Sequence, residues 1–312
     1  MIGVDAGSGD RMALGVLTRY RMAATEQMHR VIAPEVRIEQ TRRRLARRRL
    51  ARLRVEGLID RITLPQAGRT RVWFPTLYGM QLACEWPEIR GRRPSRTVSD
   101  PTAVRLKACH TLTMTETALA FLEDARRRGD LCGPLDWIPE VHHPLGSGEA
   151  VIPDALLYYR RGPADGDDDG AMLRAFVAVD RATMGPERLA AKLPAYERLY
   201  RYVPMVPGRR PTLQEPAQEE WGRHYPLFPR LLFVLDGTGS TGVENRIRAL
   251  RAGAGLLAPS GFVYDVPVLA ASLADLLQNG PSAPVWRPVR DPDRRVHWTG
   301  TCPTRTAPPW TN

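Results

Sequence analysis

Lysine is almost absent from this sequence of 312 residues. The two lysines, Lys107 and Lys192, stand against 43 arginines (45 − 2). Because nearly every basic position carries a planar guanidinium, a compact ammonium that is retained indicates a local chemical role. Lys192 is the candidate for such a role, and chance placement is the alternative.

Cysteine and long apolar runs are also scarce. The four cysteines (Cys84, Cys109, Cys132 and Cys302) form no C-x-x-C pair, and no histidine stands at zinc-ligand spacing. We therefore expect neither structural zinc nor a disulfide framework. No apolar run approaches the roughly 20 residues of a membrane span, and the N-terminus lacks a basic start followed by an apolar block. These absences predict a soluble, cytoplasmic protein with no membrane partner.

Acidic residues are too few to balance the positive charge of the first third of the chain. Residues 1–100 hold 20 arginines and 10 acids, a net charge of +10, whereas the remainder holds 25 basic and 24 acidic residues, a net +1. A localised arginine excess favours a polyanionic partner such as DNA. A solvated basic face in an arginine-rich protein is the alternative, but it does not explain the asymmetry.

Helical patterns fill the region that follows a flexible N-terminus expected at 1–10. Apolar periodicity predicts a first helix, Thr25 is placed to cap a second, and Pro34 is placed to open a long arginine-rich helix that ends near Gly57. The next residues alternate and are broken by Pro65 and Gly68, which is typical of a hairpin.

This order predicts a winged helix-turn-helix over residues 11–89, with the basic helix in the major groove of double-stranded DNA. RRRLA occurs twice in succession, so Leu45 and Leu50 point about 140° apart on a helix. We expect Leu50, Leu53 and Leu58 in the core. The candidate DNA-binding residues are Gln40, Arg43, Arg44, Arg47, Arg48, Arg69 and Arg71. A solvated charged helix is the alternative.

A Pro- and Arg-rich stretch at 90–105 is the predicted linker, and a Pro-rich tail is expected at 291–312. Between them, residues 106–290 order as helix, three strands, helix and strand. This order predicts a mixed sheet flanked by helices, an α/β (α+β) fold. It is similar to the core order of the PD-(D/E)xK nuclease-like fold.

The candidate catalytic residues lie in VIPDALLYY and RAFVAVDRATMGPERLAAKL. Asp154 follows a proline, and Ala178 and Asp180, two apart on a strand, share the face towards it. Asp154 and Asp180 would hold Mg2+ or Mn2+, and Lys192 would reach back from the next helix. Ala178 stands where a third carboxylate is expected. A turn role for Asp154 and pairing of Asp180 with Arg181 are the alternatives.

Other polar residues are weaker candidates. Glu140 on the first strand and Glu116 on the first helix could add metal-binding carboxylates, and a plain solvated Glu116 is the alternative. Tyr196 and Tyr200 share a helix face and could act as nucleophiles, but no histidine triad accompanies them, which favours core packing. GTGSTG at 237–242 lacks the Walker spacing and is interpreted as a loop.

The chain resembles the replication-relaxation proteins of actinobacterial plasmids and integrative elements. The resemblance rests on ATEQMHRVI, the arginine-rich helix with RVWF, CHTLTMTE, IPDALL and VDRATMGPERLAAKLPAY, over roughly 14–290. It implies a winged-helix domain joined to a nuclease-like domain that relaxes or nicks plasmid DNA. In that family the position of Ala178 is usually Glu, so this chain departs from the pattern there.

Two classes of function follow. The first is a metal-dependent DNA endonuclease or nickase of plasmid or mobile-element replication or transfer, nearly inactive here because Ala178 replaces the acid. The second is a non-catalytic DNA-binding regulator with a degenerate nuclease fold. Natural decay and deliberate substitution both explain the alanine. A homodimer that meets two half-sites fits either class.

Overall fold

The computed structural model describes residues 9–32, 34, 36–65, 68–87, 89, 101–146, 148–162, 172–204 and 219–300. It is a mixed α/β (α+β) protein with helices and several sheets, as the sequence predicts. These residues divide into two compact units, an N-terminal unit within 1–127 and 131–139 and a C-terminal unit within 128–130 and 140–312. Residues 1–8, 90–100, 163–171 and 301–312 lie outside the described residues. The expectations for most of the flexible N-terminus, most of the linker, the acidic turn and the end of the tail fall there.

The N-terminal unit consists of five helices and four short strands among the described residues. Its elements are α1 (Gly9–Tyr20), β1 (Ala23–Ala24), α2 (Thr25–Ile32), α3 (Glu39–Val55), β2 (Ile59–Leu64), β3 (Thr70–Pro75), α4 (Leu77–Cys84), α5 (Pro101–Arg128) and β4 (Trp137–Pro139). Strands β1 and β2 both pair antiparallel with β3. The predicted order of three helices, a hairpin and a further helix is confirmed.

One side of α3 packs into the unit and the other faces solvent. Ala46, Leu50 and Leu53 are fully buried, as is Leu58 just after the helix, whereas the side chain of Leu45 is 38% exposed. The five-residue spacing of the repeat therefore separates the two leucines as predicted. The core leucines anchor the helix and leave its opposite side to arginine.

The start of α3 differs from the expectation. The helix begins at Glu39 rather than at Pro34, because Ile38 has an extended backbone. Glu39 lies where the helix dipole favours a carboxylate, and it pairs with Arg43 at 2.5 Å. The predicted terminator is correct, since Gly57 has a φ of 73°.

Helix α5 also differs from the expectation, because it begins at Pro101 and not near Thr113. Its buried residues Val104 and Ala108 join the core of the β2–β3 hairpin, beside Ile62 and Phe74. Residues 101–105 are therefore helical rather than linker, since their apolar side finds a partner in the hairpin. The packing groups α5 with the N-terminal elements, while the functional boundary between the domains stays a prediction.

The C-terminal unit is built on a mixed sheet. Its elements are β5 (His143–Pro144), β6 (Ala150–Val151), β7 (Ala155–Arg160), β8 (Met172–Asp180), α6 (Pro186–Ala190), α7 (Lys192–Arg201), β9 (Arg230–Leu235), α8 (Ser240–Leu256), α9 (Phe262–Asp265), β10 (Val268–Ser272), α10 (Leu273–Asn279) and β11 (Arg287–Pro288). Five of the strands lie side by side in the order β11-β10-β9-β8-β7. Strands β8, β9 and β10 run parallel, and β7 and β11 are antiparallel to their neighbours.

The helix expected from Pro186 to Tyr202 is divided in two. Helix α6 ends at Ala190, and α7 begins at Lys192 after Ala191. Helix α8 packs closely on this pair at Gly253, where a Cβ would lie 3.3 Å from the Cβ of Ala190. Glycine thus allows the close approach that holds the start of α7 in place.

The described part of the predicted tail is folded. Trp298 is fully buried and meets Tyr159 edge to face, with ring centroids 5.1 Å apart. Val296 forms a β-bridge with the buried Trp286. The C-terminal unit therefore extends beyond the expected limit at 290, because two large indoles bring the chain back onto the sheet. No helix of the described residues is long and apolar enough to cross a membrane.

We predict that Leu53→Ala lowers the free energy of unfolding of the N-terminal unit by about 2–5 kcal/mol, because it leaves a cavity. Leu45→Ala serves as the matched control and should cost far less, since Leu45 is partly exposed. Urea denaturation followed by circular dichroism measures both. Equal losses in the two variants would contradict the packing of α3.

Candidate carboxylate site and arginine face

Strand pairing sets Asp154 against Ala178 in the C-terminal unit. Strands β7 and β8 are antiparallel, with Ala155 opposite Val177. Continuing this register by one residue puts Asp154 opposite Ala178, and directly opposed residues share a face of the sheet. Pro153, which has no N–H to donate, precedes Asp154 just before β7 begins. The side chain expected at position 178 therefore faces Asp154, and Ala178 is only 2% exposed.

Asp154 is held from several directions. Its Oδ2 accepts the Val179 N–H at 2.7 Å and lies 3.7 Å from Lys192 Nζ. Lys192 reaches the carboxylate because the break at Ala191 starts α7 with this residue. The structure thus brings the rare lysine to the aspartate, as the spacing predicts.

Asp180 is paired with an arginine that the sequence analysis missed. Arg246 of α8 donates from Nε to Asp180 Oδ2 at 2.5 Å, and the side chains are 8% and 6% exposed. The same guanidinium donates to the Met184 carbonyl at 3.1 Å. The pairing with the neighbouring Arg181, considered as the alternative to a metal role, is not the one formed; Asp180 instead pairs with a residue far away in sequence. The sequence did offer a signal for this pair, because Arg246 lies at four-residue spacing from the buried Leu250 and Ala254 on the same side of α8.

These residues do not fit a divalent cation in this chain. Asp154 has Lys192 beside it and Asp180 has Arg246, so each carboxylate charge is already matched by a cation. Ala178 adds no oxygen, and within the described ranges no three His, Cys, Asp or Glu side chains are grouped to hold a metal. Mg2+ requires several oxygen ligands and carboxylate charge to offset its dehydration.

The two additional acids occupy different surroundings. Glu140 lies after β4 with a φ of 48°, and its N–H donates to the Asp154 carbonyl at 3.1 Å. Glu140 is therefore near the site through its backbone. Glu116 belongs to the N-terminal unit, where it accepts from Arg30 at 2.5 Å and from Gln27 at 2.9 Å. The carboxylate of Glu116 is therefore engaged by Arg30 and Gln27 within the N-terminal unit.

Tyr196 is a core residue, and Tyr200 is half-buried. Tyr196 is buried and stacks on Phe176, with ring centroids 5.9 Å apart. Burial raises the pKa of the Tyr196 hydroxyl well above its usual range, and the Asp154 carboxylate raises it further. Tyr200 stacks on Trp221, again at 5.9 Å. These contacts favour a packing role for both rings, and burial makes the neutral phenol of Tyr196 a poor nucleophile.

The solvent side of α3 is an arginine face. All five of its candidate residues are exposed: Gln40, Arg43, Arg44, Arg47 and Arg48. At about 100° per residue, Arg44 and Arg48 lie opposite the stripe of buried residues, which is Ala46, Leu50 and Leu53. Gln40, Arg43 and Arg47 lie at the sides of that stripe.

Six of the eight arginines of α3 fall into two groups. Arg49 and Arg52 bind the buried Asp10 at 3.2 and 2.7 Å, and Arg54 binds Asp60 at 3.0 Å. Arg44, Arg47 and Arg48 have no acid within ion-pair distance among the residues that the structure describes. The first group is used within the unit, whereas the charge of the second group is not matched by a described acid.

The β2–β3 hairpin carries two further exposed arginines. Arg69 lies at its turn with a φ of 61°, next to Gly68, which also has a φ of 61°. Arg71 is exposed on β3 opposite Thr63. The hairpin thus presents positive charge away from its buried face, where Val72 and Phe74 pack.

A comparison with known protein families assigns this mixed α/β protein to a family. The family described as replication-relaxation matches residues 14–207, more than half of the chain, and the chain belongs to that family. The resemblance predicted from the sequence motifs is confirmed at the level of the family. Membership points to a role in plasmid replication or relaxation. No curated protein and no solved structure matches the chain.

We predict that Arg246→Met lowers the free energy of unfolding by about 3–5 kcal/mol, because it leaves the buried Asp180 carboxylate without its partner. The double variant Arg246→Met/Asp180→Asn should recover most of that loss. Arg251→Met, an exposed change on the same helix, is the control for urea denaturation. A loss no larger than that of the control would contradict a stabilising role for Arg246.

Proposed function

We propose that this protein binds double-stranded DNA through its N-terminal unit during plasmid or mobile-element replication or transfer, and that it does not cleave DNA in its present form. The observation that carries the proposal is the group of Arg44, Arg47 and Arg48, exposed on one face of α3 without described acidic partners. Arginines at such density repel each other unless anions relieve them. DNA phosphates supply those anions.

The N-terminal unit would act as a winged helix-turn-helix. Helices α2 and α3 precede the β2–β3 hairpin in the order that this motif requires. Helix α3 would enter the major groove, with Arg69 and Arg71 at flanking phosphates or in the next groove. Arginine suits both roles, because its planar fork bonds in pairs to phosphates and to guanine edges. Two copies could meet two half-sites as a homodimer.

We predict that Arg44→Ala/Arg47→Ala reduces the magnitude of the slope of log affinity against log salt by about 2 for duplex DNA, since each lost phosphate contact removes about 0.9. The affinity falls across sequences, as measured by fluorescence anisotropy over a salt series. Arg251→Ala, on α8 of the other unit, is the control and should leave the slope unchanged. An unaltered slope in the double variant would refute α3 as the DNA-binding element.

The C-terminal unit supports a second candidate function, a PD-(D/E)xK-type nickase completed by an acid at position 178. The specific observations are the register that sets position 178 opposite Asp154 and the approach of Lys192 to that carboxylate. In the family pattern stated above this position is usually Glu. A Glu there would add a third carboxylate beside Asp154 and Asp180, and Mg2+ or Mn2+ would be the cofactor. In this chain the non-catalytic function is favoured.

We predict that the present chain leaves supercoiled plasmid DNA intact with Mg2+ or Mn2+, whereas Ala178→Glu nicks it. The physical reason is the missing carboxylate charge, since both existing acids are matched by Lys192 and Arg246. Ala178→Gln controls for side-chain size, and Ala178→Glu/Asp154→Asn controls for the site. Agarose gels follow conversion to nicked circles. If the Glu variant binds DNA but stays inert, the non-catalytic function stands and the nickase is excluded.

A further inference from the structure

A cleft of about 570 Å3 opens in the C-terminal unit beyond the segment that matches the family. It is lined by α9, β10, β11 and the chain that follows β11. Its charged lining comprises Asp291 and four arginines, Arg230, Arg290, Arg294 and Arg295, a net +3 (4 − 1) with His297 neutral. Its volume lies within the range of about 300–1,000 Å3 that is typical of small-ligand sites. The charge favours an anionic ligand.

An aromatic platform lies in this cleft. The guanidinium of Arg290 sits 3.6 Å from the ring centroid of Tyr264, and Tyr264 is 48% exposed. The neighbouring residues Val263 and Val289 are buried and fix the backbones that carry the pair. Stacked tyrosine and arginine planes are the surfaces on which proteins stack unpaired bases.

Some arginines of the cleft use their side chains for hydrogen bonds or ion pairs within the protein, whereas Arg294 does not among the described residues. Arg230 donates to the Trp298 carbonyl at 2.8 Å, and Arg295 lies 3.4 Å from Asp275 across an exposed pair. Arg294 is exposed and has no acid within ion-pair distance in the described part of the chain. Arg294 therefore has its charge available for a ligand, close to the Tyr264–Arg290 stack.

We propose that this cleft binds a nucleotide unit of single-stranded DNA, with a base on the Tyr264–Arg290 stack and phosphate at Arg294 and Arg295. The proposal rests on the proposed function only in taking DNA as the partner. It adds a second contact, in the other unit, for a strand that is unpaired during replication or transfer. The aromatic plane of Tyr264 beside Arg294 distinguishes this site from the α3 arginine face, where the argument rests on charge alone.

The test uses the full chain and a labelled oligothymidylate of about 12 nucleotides, within the site sizes of single-strand binders. Tyr264→Leu should weaken binding at least about fivefold, the lower end of the cost of losing one stacked base. Arg294→Glu should weaken it at least as much, because the reversed charge repels the phosphate. Tyr264→Phe keeps the ring and should bind as the parent does. Arg251→Glu, an exposed charge reversal elsewhere in the unit, should change the affinity little. Parent-like binding by the cleft variants, or an equal loss in Arg251→Glu, overturns the proposal.

Duplex binding measured in parallel separates this proposal from the proposed function. The cleft variants should keep the duplex affinity of the parent chain, and Arg44→Ala/Arg47→Ala should keep its oligothymidylate affinity. Failure of the α3 variant to lose duplex binding refutes the proposed function alone. Equal loss of both ligands in Arg294→Glu, with an unchanged circular dichroism spectrum, overturns a separate single-strand site.

Competition with dTMP at matched nucleotide concentration distinguishes the two sources of a nucleotide. Failure of dTMP to displace the oligothymidylate supports a strand that makes several phosphate contacts. Displacement by dTMP as effective as that by unlabelled oligothymidylate overturns the strand and assigns the cleft to a free nucleotide.

Discussion

The pairing of β7 with β8 is the constraint on which the carboxylate site depends. Its antiparallel register decides that position 178 faces Asp154, and the parallel pairing of β8 with β9 holds the other edge of that strand. A slip of one residue would turn Ala178 and Asp180 to the opposite face. Both faces of β8 are buried along its second half, so such a slip would move Asp180 away from Arg246 and force the buried side chains to repack. The register is therefore strongly specified.

Charge compensation organises both units, in opposite ways. In the C-terminal unit, Arg246 reaches Asp180 across the fold, and the carboxylate site becomes internally neutral. In the N-terminal unit, Asp10 pairs with Arg49 and Arg52, whereas Arg44, Arg47 and Arg48 have no acid within ion-pair distance among the described residues. The internally matched site suits a structural role in this chain. The unmatched face suits a polyanion, and our functional proposal follows from that contrast.

Amphipathic helices explain how far the N-terminal unit could be predicted. The RRRLA repeat determines that Leu45 and Leu50 cannot share one stripe, and Gly57 marks the end of α3 through its positive φ. The predicted start of α3 and the predicted start of α5 were wrong, because the limits of a helix also depend on the elements against which it packs. Val104 extends α5 only because the hairpin offers an apolar surface to it.

The sequence by itself determined the family, the element order, the candidate acids and the single lysine worth following, because local periodicity and motif spacing carry that information. Only the tertiary structure decided that Lys192 lies 3.7 Å from Asp154 and that Arg246 neutralises Asp180. It also brought the stack of Tyr264 and Arg290 together in one cleft. Contacts between residues far apart in sequence depend on how helices and strands pack, and no local pattern in one sequence encodes that packing.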